Sequence, residues 1–120
     1  MAHPRQDFAE APLFDEPSLV DRMFGNADMA RQVIGIFVED CPVRLAEIAT
    51  AARRHDLQAL RIAAHALKGA AGNVSAQRLF EAASALEEID PAADSADVDA
   101  GCRRVSDEAR DVLAVFRGRL

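Results

Sequence analysis

Three residues in the middle of the chain have types and spacings that suit phosphoryl transfer. His65 is followed by Lys68 three residues later and by Gly69 four residues later, so on a helix all three lie on neighbouring positions. A free imidazole has a pKa of about 6.5 and is largely neutral and nucleophilic near neutral pH. An ammonium stabilises phosphoryl oxygens, and a glycine leaves the ring accessible. The same spacing also fits an ordinary surface histidine beside a solvated lysine.

A helical wheel over residues 57–74 places His65 on the solvent side. One face carries the apolar residues Leu57, Leu60, Ala64, Leu67, Ala71 and Val74, and His65 lies about 130° from its centre. The outward face holds Ile62, Ala66, Gly69 and Asn73, with Gly72 beside His65. Two of these residues are unfavourable for the stability of the fold. Gly69 in a helix interior costs about 1 kcal/mol of stability relative to Ala, and Ile62 exposes an apolar side chain to solvent.

The next helix supplies a candidate partner for the imidazole. If it returns antiparallel after a turn at residues 73–75, an equal rise per residue brings Glu87 level with His65. A carboxylate there would orient the ring through its second nitrogen. An ordinary surface charge is the alternative. Phe80 lies on the same flank as Glu87, where it belongs either to the edge of the core or to a docking surface.

Composition and periodicity predict an all-α fold. The chain has 25 alanines, aromatic residues are 5% of it, and no stretch alternates like a half-buried strand. We predict an antiparallel four-helix bundle with a short additional N-terminal helix covering one end. The predicted spans are the short helix 19–24, a long helix from residue 29 to about 53, and helices over about 57–71, 76–89 and 97–116.

Local signals predict where these helices begin and bend. Ser18, Asp28, Asp56 and Ser75 are the predicted N-caps, and Pro42 predicts a kink or a junction of two helices. The apolar face of the long helix is predicted to consist of Met29, Val33, Ile36, Phe37, Cys41, Leu45, Ile48, Ala49 and Ala52.

Several function classes are disfavoured. The net charge of −6 argues against nucleic-acid binding, which depends on neutralising phosphates. There is no phosphate-binding loop, hydrolase elbow or metalloprotease motif, and no cluster of residues with metal-ligand spacing.

No secretory signal or membrane span is visible, and the isolated Cys41 and Cys102 suit reduced thiols in the cytoplasm. A histidine nucleophile without an ATP site must receive its phosphoryl group from another protein.

The segment 65–76, HALKGAAGNVSA, resembles the H-x-L-K-G-x-x-x-N signature of histidine-containing phosphotransfer (HPt) domains. The likeness extends from about Phe14 to Phe116. It includes Phe14-Asp15, the run FVEDCP at 37–42, and Leu86-Glu87. We therefore expect residues 1–13 to be a flexible lead-in and residues 14–120 to be an HPt domain. Ser75 stands where the family often has glycine.

The resemblance implies a phosphorelay intermediate without kinase activity of its own. His65 would accept a phosphoryl group from a receiver-domain phospho-aspartate or a hybrid sensor kinase, and would pass it to a response-regulator aspartate. Lys68 would assist the phosphoryl group, Gly69 would keep His65 accessible, and Glu87 matches a family position close to the histidine. Magnesium belongs to the receiver, so no cofactor is expected here.

The expected partners are a receiver domain and a hybrid kinase, docking on the third and fourth helices. Ile62, Ala66, Gly69, Gly72 and Phe80 would surround His65 there. We expect neither nucleic acid nor membrane as a partner, and we expect a monomer. Two alternatives remain: a non-phosphorylated adaptor that inhibits signalling, and a domain cut from a larger hybrid kinase.

Overall fold

The computed structural model describes residues 11–120, and this range contains five helices and no strand. They are α1 (Glu16–Arg22), α2 (Ala27–Arg53), α3 (Leu57–Asn73), α4 (Gln77–Glu87) and α5 (Ser95–Arg117). The all-α prediction is confirmed. Residues 1–10 of the predicted lead-in 1–13 lie outside the described residues, and the boundary at residue 14 stays a prediction.

Helices α2 to α5 form the four-helix bundle. Contacts join α2 with α3, α3 with α4, α4 with α5 and α5 with α2, which closes a ring around one core. Gly72 faces Phe80 and His65 faces Glu87; because both pairs of residue numbers add to the same total, α3 and α4 run antiparallel. A three-residue connection links α2 to α3, and a seven-residue connection links α4 to α5, as in an up-and-down bundle.

The core combines large side chains with many alanines. The ring of Phe116 is fully buried and meets Phe14 and Phe37 edge to face, at centroid distances of 4.7 and 5.4 Å, a favourable aromatic geometry. Small side chains on α3 and α4 let these helices approach closely: Ala63, Ala64, Ala71, Ala82 and Ala83 are all buried. This close packing brings the outward edges of α3 and α4 within side-chain reach of each other.

Two predicted N-caps are wrong because a neighbouring side chain performs the capping. The Asp15 carboxylate accepts the backbone N–H of Ser18 at 3.1 Å, so α1 is capped at Asp15. The Asn26 side chain accepts the N–H of Met29 at 3.0 Å, so α2 is capped at Asn26 and not at Asp28. Asp56 caps α3 as predicted, accepting from Ala59 at 3.0 Å.

The long helix α2 departs from two expectations. It continues as one α-helix through Pro42. Of the two predicted alternatives at Pro42, the junction of two helices is therefore wrong, and the kink stays a prediction. Packing against α3 and α5 holds both flanking segments. Its buried stripe is Ala30, Ile34, Phe37, Cys41, Ile48 and Ala51. Ile36, at 68% exposure, and Met29 and Ala49 are exposed instead, because α2 has apolar residues around more of its circumference than the bundle covers.

The short helix α1 lies against the turn between α3 and α4, which agrees with its expected place at one end. The backbone N–H of Asp15 donates to the carbonyl of Ser75 at 2.9 Å. Arg22 donates to the Gly72 carbonyl at 2.7 Å and to the Ser75 hydroxyl. Ser75 has a left-handed backbone, φ 58°, and α4 begins after Ala76 with no side-chain cap. The prediction that Ser75 caps α4 is therefore wrong, since its hydroxyl is turned to α1.

Candidate functional site

His65 projects from the middle of α3, on the side opposite the core. Its side chain is 67% exposed, whereas Leu60, Ala64 and Leu67 on the other face are buried. The strong period of the apolar stripe determines this placement. The imidazole is therefore fixed at its base by a rigid helix and open to solvent at its reactive edge.

Glu87, the last residue of α4, holds the imidazole from the side. Nδ1 of His65 lies 2.7 Å from Oε2 of Glu87, a contact between residues 22 apart in the chain. Because an ionised carboxylate only accepts hydrogen bonds, Nδ1 must be the donor and carries the ring proton. Nε2 then keeps its lone pair, which makes it the nucleophilic nitrogen of the ring.

Lys68 completes the group by binding the other oxygen of the same carboxylate. Its Nζ lies 2.7 Å from Oε1 of Glu87. The pKa of the Glu87 carboxyl is lowered from its ordinary value, mainly by the Lys68 ammonium and further by His65, while partial desolvation opposes the lowering. Glu87 is thus ionised near neutral pH, as the assignment of the Nδ1 proton requires.

Two glycines of α3, Gly69 and Gly72, leave space for another molecule next to His65. A Cβ atom on Gly69 would meet nothing within 4 Å, so the space one turn after His65 is open. A Cβ atom on Gly72 would lie 3.5 Å from the ring of Phe80, which is 40% exposed on the α4 side. Gly72 and Phe80 therefore form one flank of the site. The open space at Gly69 is the side from which another molecule can approach His65.

The opposite flank lies toward α2 and is more apolar than predicted. A groove between α2 and α3 includes His65, Ala66 and Gly69 together with Ile36, and a second groove includes Ile62 and Val43. Ile36, Val43 and Ile62 are 68%, 56% and 64% exposed. Sequence reasoning missed Ile36 and Val43 as surface residues. Their separation of seven residues places them on one side of α2, but this spacing does not indicate that the side is exposed.

A charged pair on α2, Asp40 and Arg44, also lines the groove that contains His65. Arg44 donates from Nε to Asp40 at 2.9 Å, and its Nη1 lies 3.8 Å from Glu47. Arg44 lines both grooves, and Asp40 lines the one that contains His65. Sequence reasoning missed this pair, although Asp followed by Arg four residues later is a typical helix ion pair.

Other candidate groups do not join the site. His55 lies in the α2–α3 connection with a left-handed backbone, φ 54°, and His3 falls outside the described residues. Cys41 is buried, and desolvation raises the pKa of its thiol to about 11, so the thiol stays protonated and unreactive.

Residues 11–120 contain neither a metal-binding cluster nor a membrane-spanning helix. Over this range, no group of three or more His, Cys, Asp or Glu side chains is arranged to hold a metal ion. None of the helices described for the chain has the length and apolar character needed to cross a membrane.

The sequence and the fold are both similar to those of known proteins. A search of curated proteins found no match. Among solved structures, the chain is similar to histidine-containing phosphotransfer protein B (HptB) from Pseudomonas aeruginosa PAO1. The TM-score is 0.76 at 26% identity, over 92% of this chain and 96% of that chain. The family model of the Hpt domain matches residues 32–116, a range that contains His65, Lys68, Gly69 and Glu87, and the chain therefore belongs to the Hpt domain family.

Proposed function

We propose that this protein is a phosphorelay intermediate in which His65 accepts a phosphoryl group from a receiver-domain phospho-aspartate or hybrid kinase and passes it to a response-regulator aspartate. The observation that carries the proposal is the exposed imidazole whose Nδ1 lies 2.7 Å from the Glu87 carboxylate. This contact leaves Nε2 free to react. The Hpt domain is a phosphotransfer module and not a kinase, so the phosphoryl group comes from a partner.

The transfer is a displacement at phosphorus. The lone pair of His65 Nε2 forms the N–P bond while the bond between phosphorus and the aspartate oxygen of the donor breaks, and that electron pair leaves with the carboxylate. Lys68 binds the same Glu87 carboxylate as the ring does, and from there its flexible ammonium can follow the incoming phosphoryl oxygens. Gly69 leaves room for the donor to approach in line with Nε2.

The partner surface that we propose includes α2 as well as α3 and α4. Exposed apolar side chains flank His65 on the α2 side, namely Ile36, Val43 and Ile62, with Ala66 between the grooves. Phe80 and Gly72 border it on the α4 side. An apolar centre with charged residues such as Asp40 and Arg44 at its edge is the usual composition of a transient protein interface.

We propose that the protein works as a monomer. One chain supplies His65, Lys68, Gly69 and Glu87, so a monomer carries the whole site. We propose the cytoplasm as its location, since the receiver domains and kinase modules of two-component systems meet there.

Phosphorylation by a labelled receiver domain or hybrid kinase tests this function. Wild type, His65→Gln and the control His55→Gln are compared for uptake of an acid-labile, alkali-stable label. Labelling of wild type and His55→Gln, but not of His65→Gln, is the expected result. Equal labelling of His65→Gln would refute the role of His65. Tight partner binding without any labelling would indicate the adaptor instead.

A further inference from the structure

The bridge from Glu87 to both His65 and Lys68 has a consequence for the phosphorylated protein. Attack through Nε2 does not remove the proton from Nδ1. The first product is therefore an imidazolium that carries the phosphoryl group on Nε2 and a proton on Nδ1. The acceptor for the hydrogen bond from this Nδ1–H group is already in place in the unphosphorylated structure, where Oε2 of Glu87 lies 2.7 Å from Nδ1.

Resting on the proposed function, we propose that Glu87 is a positioning residue that keeps phosphohistidine 65 protonated at Nδ1, and that this protonation keeps the phosphoryl group transferable at neutral and mildly alkaline pH. The residue acts through the imidazole and does not touch phosphorus. Its role therefore goes beyond orientation of the ring before the reaction.

The chemistry of the leaving group supports this assignment. When the N–P bond breaks toward an acceptor aspartate, its electron pair returns to Nε2. From the protonated ring the departing group is neutral imidazole, whereas from the deprotonated ring it is an imidazole anion, a far poorer leaving group. A relay intermediate must give up its phosphoryl group as well as accept it, so the protonated form is the useful one.

The charges around the ring favour a proton at Nδ1. On α4, Glu87 is the carboxylate in contact, and Lys68 on α3 holds the pKa of that carboxyl below its ordinary value, so Glu87 attracts the proton without removing it. Of the other charged groups, Asp40 and Arg44 on α2 pair with each other at 2.9 Å. Arg61 on α3 donates to the Ile89 carbonyl at 2.7 Å.

An opposite charge at this distance raises the pKa of a cationic group by about one to three units. The protonated phosphohistidine in the wild type is therefore expected to lose its proton at least about one pH unit higher than in Glu87→Gln. Glutamine keeps the shape and an accepting oxygen but lacks the charge. The control is Glu88→Gln, which removes the charge of the exposed carboxylate next to Glu87 in the chain. This variant is expected to behave like wild type.

The test uses full-length protein phosphorylated with the small phosphodonor phosphoramidate, so that no partner is needed. The phosphorus NMR resonance of phosphohistidine 65 is identified by its absence from His65→Gln. Its position is then followed against pH in wild type, Glu87→Gln and Glu88→Gln. A midpoint lowered by about one unit or more in Glu87→Gln alone is the expected result. Transfer from this variant to a receiver domain, measured above its midpoint, should be about tenfold slower and should approach the wild-type rate as the pH falls.

A second measurement needs no substitution at Glu87. Nitrogen NMR of the phosphorylated wild-type protein reports directly whether Nδ1 of His65 is protonated, and a proton on Nδ1 at about pH 8 is expected. A deprotonated Nδ1 at neutral pH, or equal midpoints in wild type and Glu87→Gln, would overturn the inference and leave the proposed function intact. Absence of any His65-dependent phosphorus resonance, together with failed receiver labelling, would instead refute the proposed function.

Discussion

Gly69 lies one helical turn beyond His65, and a Cβ atom placed on it would meet no other side chain or packed element within 4 Å. Gly69→Leu should therefore fold normally and still place a branched side chain across the approach to the imidazole. We expect phosphoryl transfer from a receiver to fall by at least about tenfold, while the free energy of unfolding in urea stays at or above that of wild type.

The matched control is Gly69→Ala, which adds one methyl group in open space. It should gain about 1 kcal/mol in the free energy of unfolding, the helix-propensity difference between glycine and alanine, and should keep much of the transfer rate. If Gly69→Leu transfers as fast as wild type, open space at residue 69 has no part in the reaction.

The apolar side chains on the α2 side of His65 are expected to bind the receiver domain. Because Ile36 and Ile62 are mostly exposed, Ile36→Asp and Ile62→Asp should leave the fold intact. Each should weaken receiver binding about tenfold, the size expected at the centre of a small interface. Calorimetric titration with an unphosphorylated receiver domain measures this effect.

The control for that pair is Ala114→Asp. Ala114 is exposed on α5, the helix diagonal to α3 in the bundle, so this substitution adds the same charge far from His65 and should not change the affinity. Equal weakening by all three variants would point to a general charge effect and would contradict docking at the α2–α3 grooves.

The sequence predicts most of the site because two strong patterns agree. The apolar stripe of α3 turns His65 outward, and the short turn before α4 makes the two helices antiparallel, which brings Glu87 level with His65. The ion pair of Lys68 with the same carboxylate depends on side-chain torsions. Helical spacing constrains these torsions only loosely, so the pattern does not predict this contact.

Elements that depend on long-range contacts were predicted less well. Ser75 has the residue type of an N-cap, but Arg22, 53 residues earlier, binds its hydroxyl and supports a left-handed backbone. Ile36 fits the periodicity of α2, but periodicity does not say which side of an apolar helix the bundle covers. In both cases the tertiary arrangement, and not the local signal, decides the outcome.

Glu87 should make the stability of the fold depend on pH in the acid range. Its pKa is lowered in the folded protein, mainly by Lys68. Its interactions therefore stabilise the folded state fully above the ordinary glutamate pKa and are lost as the pH falls through the lowered value. The stability difference between wild type and Glu87→Gln, measured by urea denaturation, should be largest above about pH 5 and should shrink toward about pH 3.

Lys68→Gln provides the comparison for that experiment. Without the ammonium, the pKa of Glu87 should rise toward its ordinary value, so the decline in stability should begin at higher pH than in wild type. A stability difference between wild type and Glu87→Gln that does not change with pH would show that the carboxylate charge contributes nothing to the fold.

Arg22 should stabilise the protein through the turn that begins α4. It donates to the Gly72 carbonyl and to the hydroxyl of Ser75, whose left-handed backbone is unfavourable for a residue with a side chain. Arg22→Met keeps the aliphatic stem and removes both hydrogen bonds, which should cost about 1 kcal/mol or more in the free energy of unfolding. Faster amide hydrogen exchange in α1 and in the turn at 74–76 should accompany the loss.

Arg31→Met is the matched control, because Arg31 pairs with Asp28 at 3.1 Å within one helix and both side chains are well exposed. An exposed pair of this kind contributes little, about 0.5 kcal/mol or less. The two variants therefore separate a long-range contact from a local one. Equal losses for Arg22→Met and Arg31→Met would mean that α1 does not support the turn, and that the left-handed backbone at Ser75 is maintained by the packing of α3 and α4 alone.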